Sequence, residues 1–217
     1  MNGPIIQILV LAGIAIFLVL RLRGVLGTRE GFEKPPIPQE KAAPKRPDFE
    51  VIEGGPDRDI IDHADEGTST AIALADMKRI DPSFNVGEFL SGARQAYEMI
   101  LMAFERGDLD EVKPFLSEDV EAAFTSVIHE RADKGLTVDA SFVGISDLKL
   151  KDAALDRDTN EAEMTIRFGG ELVYVVRDDG GDIIDGDPNA IKKQKDVWTF
   201  ARVMDSGDPN WRLVATE

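Results

Sequence analysis

The chain has no cysteine and only two histidines, His63 and His129. The first absence excludes disulfides, cysteine nucleophiles and thiolate metal sites, and it agrees with a reducing compartment. Two histidines 66 positions apart, with no carboxylates at matching spacing, form no recognisable metal-ligand set. There is no glycine-rich loop closed by Lys-Ser or Lys-Thr, and no Gly-x-Ser-x-Gly elbow. A basic balance is missing as well. The net charge is −16, and −13 of it falls on residues 83–217. Binding to phosphate backbones needs the opposite sign, so no nucleic acid partner is expected, and broad docking of the domain on anionic lipid is disfavoured.

Long apolar runs are also lacking, with one exception. From Gly3 to Leu20 no residue is charged, and Arg21 and Arg23 follow at once. At ~1.5 Å per residue, a helix of that length covers a bilayer core. The positive charges stand after the run, the reverse of a cleavable signal peptide. Pro4 suits the first turn of a helix. The positive-inside rule then puts the downstream side in the cytoplasm or the mitochondrial matrix. The expectation is one uncleaved transmembrane helix over residues 1–26, with the remainder cytoplasmic.

Residues 27–82 read as a flexible linker. Lys34-Pro35-Pro36-Ile37-Pro38, Pro44, Pro47 and Gly54-Gly55-Pro56 punctuate it, and large apolar residues are few. Ile60, Ile61, Ile72, Leu74, Met77 and Ile80 suggest a weak helix over 70–79, a segment that either docks on the domain or a partner or stays a mostly disordered spacer.

Residues 83–217 are long enough for one domain with its own core. Asn85 caps a helix, with Glu88 as the second half of a capping box. Phe89, Ala93, Tyr97, Ile100 and Phe104 make its apolar face, and Gly107 stops it. A helical turn follows over Leu109 to Phe115. Ser117 caps the next helix, whose core face is Val120, Phe124, Val127, Ile128 and Arg131. From Val138 the period becomes two. Val138, Ala140, Phe142, Leu148 and Leu150 share one parity. After a turn at Asp156–Asn160, the parity Ala162, Met164, Ile166, Phe168 survives Gly169-Gly170 and continues through Leu172, Tyr174 and Val176. One long strand bending at the glycines is therefore expected. Asp178–Asp182 is a turn, and strands at about 196–204 and 211–216 finish the chain. The acids Asp178, Asp179, Asp182, Asp185 and Asp187 lack the order of a calcium loop and read as a solvated turn. Helices followed by hairpin-connected strands mean α+β, here a cone made by helices packed on a bent antiparallel sheet with an internal pocket.

The segments Asp196-Val197-Trp198-Thr199-Phe200 and Ser206-Gly207-Asp208-Pro209-Asn210-Trp211-Arg212-Leu213 resemble the Tim forty-four-like (Tim44-like) domain family, named after the matrix-side scaffold of the mitochondrial import motor. Phe89-Leu90-Ser91-Gly92-Ala93-Arg94 with Tyr97 and Phe104, and Val176-Arg177-Asp178 with Ile184 to Pro188, extend the likeness over 83–217. The resemblance implies a nuclear-transport-factor-two-like cone. It implies a bacterial, membrane-anchored, single-pass member at the inner (cytoplasmic) membrane. It also implies a non-catalytic adaptor that binds a partner protein or apolar peptide segment, linked to protein translocation or membrane-complex assembly. The residues expected to line a pocket or meet a partner are Tyr97, Phe104, Phe168, Tyr174, Trp198, Phe200 and Trp211. No catalytic residue, cofactor or metal is expected. Two other readings stand beside it: a pocket protein for a lipid or small apolar ligand, enzymatic or not, and a domain that self-associates into a homo-oligomer.

Overall fold

Short polar side chains start each helix of the computed structural model, which describes residues 57–217. Asp57 accepts from the Asp59 amide at the head of α1 (Arg58–Ile61). Thr68 accepts from Ala71 at α2 (Ser69–Ile80), Asn85 from Glu88 at α3 (Val86–Arg106), and Ser117 from Val120 at α4 (Glu118–Asp133). Each satisfies an amide that the first turn leaves unpaired. Gly107 closes α3 at φ +76°, a left-handed cap that glycine takes without strain. A 3-10 turn, Lys113–Phe115, joins α3 to α4.

Four strands follow: β1 (Thr137–Leu155), β2 (Glu161–Arg177), β3 (Ile183–Val203) and β4 (Arg212–Thr216). They pair antiparallel in chain order, giving an open four-stranded sheet in a mixed helix-plus-sheet fold. β2 runs unbroken through Gly169-Gly170 and buries Ala162, Met164, Ile166, Phe168 and Leu172 on one face. β1 keeps its parity as far as Leu150 by a different route. Residues are inserted between Phe142 and Gly144 and again between Ile145 and Asp147, which cancel up to Leu150, and a third insertion before Asp152 then reverses the parity so that Ala153 is buried.

Three expectations are corrected. First, residues 57–82, expected to be part of a flexible linker, fold onto the domain. In α2, Leu74 and Met77 are 0% exposed and belong to the same core as α3 and the sheet. Their spacing of three places both on one helical face, but within an alanine-rich stretch two large side chains make a faint pattern. Second, α4 buries only Val120. Phe124 and Ile128 are half-buried, and Val127 is 41% exposed. Third, β3 begins at Ile183 rather than about 196. The polar residues before Asp196 pair with β2 through their backbones, which needs no apolar side chain. Among the described residues no helix is long and apolar enough to cross a membrane. The anchor expected over 1–26 lies outside them.

The segment before residue 83 is fastened by charge as well as packing. Asp59 accepts from the Val86 and Gly87 amides at 2.8 and 3.0 Å, at the head of α3. Lys78 bridges Asp59 and Asp57, each at 2.7 Å. Burial alone would raise the Asp59 carboxyl, but Lys78 and the two amides hold it below its usual range. Asp76, almost fully buried, pairs with Arg79 and, at 2.5 Å, with Arg157.

Candidate partner-binding site

The α3 face carries Phe89, Tyr97 and Phe104 toward the sheet, and the aromatic residues of β2 and β3 meet it. Tyr97 stacks on Phe168 with centroids 4.4 Å apart and planes 11° apart, and Trp198 tilts against it at 4.7 Å. Phe142 from β1 contacts Tyr97 at 6.2 Å, and Phe200 continues the set beside Trp198 and Phe89. Tyr97, Phe168, Trp198 and Phe200 are all buried. This part of the interior is filled by the chain's own rings.

The Tyr97 hydroxyl donates to Asp196 Oδ2 at 2.5 Å, and Gln194 Nε2 donates to both Tyr97 Oη (3.2 Å) and Asp196 Oδ2 (2.8 Å). Burial first, and the Asp196 carboxylate next, push the phenol well above its ordinary range. Tyr97 is thus a buried donor held in place by Asp196 and Gln194. The register pairs Phe168 with Asp196 and Gly170 with Gln194, so both polar groups lie on the face of Trp198. Continuing the alternation of Trp198 and Phe200 back two and four positions would have found them.

Past Tyr97, Ile100, Leu101 and Ala103 of α3 stay buried, and Phe104 lies at the edge of the core. Phe104 is half-buried, packed on Phe124 at 4.7 Å, with the Arg131 guanidinium 4.4 Å over its ring. Arg131 Nη1 also reaches the Phe104 carbonyl and Glu105 Oε2, both at 3.4 Å. The Glu105 side chain is 10% exposed. Burial raises its carboxyl, and Arg131 and Lys192 offset only part of that. Across from it, Tyr174 is half-buried beneath the Lys192 ammonium at 4.1 Å and donates to Asp185 at 3.4 Å. Burial and then the Asp185 charge push its phenol up to about 12, and it feels the charges of Glu105 and Arg131. Val138, Ala140 and Phe142 lie beside it on β1, paired with Val176, Tyr174 and Leu172 and themselves half-buried. The result is an apolar mouth edged by Glu105, Arg131, Lys192 and Asp185.

The seven residues singled out from sequence therefore divide into three places. Tyr97, Phe168, Trp198 and Phe200 form the filled interior, while Phe104 and Tyr174 stand at the mouth. Trp211 lies half-buried by the start of α3, against Phe89 (4.7 Å), Phe84 (5.9 Å) and Arg202 (5.2 Å). Glu105 and Lys192 had no apolar period to mark them. Among the described residues no group of three or more potential ligands is arranged to hold a metal ion.

A helix-on-sheet domain with a ring-filled interior and a half-open apolar end is the class of protein these features define. The family described as Tim44-like domain matches residues 70–217, and the chain belongs to it. Its curated relatives include the mitochondrial import inner membrane translocase subunit TIM44 of Homo sapiens, 26% identical over 151 residues, and TIM44-1 of Arabidopsis thaliana, 24% identical over 152. Those matches cover 68% and 67% of this chain but only about a third of each relative, 33% and 32%. Among solved structures, the intermembrane space region of the chloroplast protein ARC6 aligns over 60% of this chain and 92% of that one. At 15% identity and a TM-score of 0.38 it carries no argument.

Proposed function

We propose that this chain is a non-catalytic adaptor whose Tim44-like domain, a cone of the nuclear-transport-factor-two kind, holds an apolar segment of a partner protein at its mouth. In this reading the apolar run Gly3 to Leu20 anchors the chain in a bacterial inner membrane, with the domain on the cytoplasmic side. The domain serves protein translocation, in keeping with relatives that are translocase subunits, or the assembly of membrane complexes. The observation that carries the reading is the half-exposed apolar mouth, Phe104, Phe124, Ile128, Phe142 and Tyr174, in front of an interior already filled by rings. A filled interior favours surface capture of a side chain or peptide over enclosure of a lipid. The charges around the mouth suit orientation of a partner better than they suit chemistry.

The test places a photoreactive amino acid at Tyr174 or, as a control, at exposed Ile72, in intact membranes. Adducts with one protein at Tyr174 and none at Ile72 support the adaptor reading. A small apolar molecule co-purifying with the full chain, and no protein adduct, favours the pocket alternative.

A further inference from the structure

β1 is the terminal strand of the sheet, so one side of its backbone has no strand partner. Over 145–150 this strand walls a cleft of about 310 Å³. The opposite walls are α3, through Leu90 and Arg94, and the residues after α1, Asp62 and His63. A strand that turns one face to a cleft contributes alternate residues. Here six consecutive residues of both parities contribute, so the strand presents its edge. Beyond the ladder with β2, the backbone of 145–150 makes no hydrogen bond to described residues. An unpaired edge beside a helix is the layout in which an extended peptide adds a strand.

Register and charge together define the occupant. Along the cleft, irregularities between Ile145 and Asp147 and between Leu150 and Asp152 leave 147–150 as the one run of regular pairing longer than two residues. Such interruptions block long edge-to-edge pairing, which disfavours the β1 of a second copy and suits a short segment. Arg94 and Lys149 line the cleft and pair with no acid among the described residues, whereas Asp147 is taken by Arg167 at 2.7 Å. In a chain of net charge −16 this is a local excess of cations, opposed within the cleft by Asp62. Leu90, Ile145 and Leu148 supply apolar contact.

We propose that the β1 edge over 145–150 binds a short extended segment of a partner protein, alternating apolar and acidic residues, by strand addition. This site is separate from the mouth and does not depend on the adaptor reading.

The test titrates the full chain, in detergent, with three hexapeptides: alternating glutamate and valine, alternating lysine and valine, and the glutamate peptide N-methylated at its central amides. Calorimetry and amide exchange are the readouts. The glutamate peptide binds and slows exchange within 145–150. The lysine and methylated peptides bind at least about ten-fold more weakly, because each loses charge or backbone pairing. Arg94→Ala and Lys149→Ala, both at exposed positions, each weaken the glutamate peptide, and Tyr174→Ala at the mouth leaves it unchanged. Absence of binding, equal binding of all three peptides, or protection confined to the mouth overturns the proposal.

Discussion

The Tyr97 hydroxyl occupies the space that a Cβ on Gly170 would need, since such an atom would stand 2.3 Å from Tyr97 Oη. Gly170→Ala must therefore displace the ring or its bond to Asp196. A loss of about 1–3 kcal/mol is expected, read by chemical unfolding. Adding Tyr97→Phe removes the closest contact, leaving ring carbons at 3.1 and 3.2 Å, and should make the pair cost less than the sum of the two single changes. Glu105 predicts a dependence on pH. Its carboxyl is raised by burial, so its favourable contribution is full below the unfolded value near 4.5 and is lost as pH rises through the higher folded value. Glu105→Gln should stabilise the fold at neutral pH and flatten the acid side of its stability profile. A variant less stable than the parent at pH 7 would show that the Arg131 pairing outweighs burial. Asp76, lowered chiefly by its bond to Arg157, behaves oppositely. Asp76→Asn should destabilise the fold at neutral pH and matter progressively less as pH falls through the lowered carboxyl value.

At the scale of elements, α2 and α4 exchange the weights that their sequences suggest. α2 sits in a stretch with the composition of a tether, yet Leu74 and Met77 are core residues. Leu74→Ala should cost about 2–5 kcal/mol in chemical unfolding. A result near zero would mean that α2 is detached in solution. α4 offers five residues as a core face in its sequence but buries Val120 alone. Val127→Asp should change stability by less than about 0.5 kcal/mol, as exposed substitutions do. Periodicity reports which face of a helix is apolar. It does not report whether another layer lies close enough to cover that face, and α4 leaves part of its stripe at the mouth. The long β2 was legible because its alternation crosses Gly169-Gly170 unbroken. The first half of β3 was not, because backbone pairing leaves no mark in a polar stretch such as 185–195.

For the whole molecule, the adaptor reading predicts that binding and stability separate. Phe142→Glu at the mouth should abolish the partner adduct formed through Tyr174 while a proteolysis-resistant domain persists, as checked by cross-linking and limited digestion side by side. Loss of the adduct together with loss of the folded domain would show only that Phe142 is core. The order of α3, α4 and the four strands, and the caps at Asn85, Gly107 and Ser117, were legible in the sequence alone. Capping, turn and alternation chemistry act between neighbours in the chain, and they read the same before folding as after it. Tertiary structure alone decided that residues 57–80 join the core, that Asp196 locks Tyr97 across 99 positions, and that an apolar end stays half-open beneath α4. These depend on which surfaces meet in space, and the distance between two layers is set by all the side chains between them.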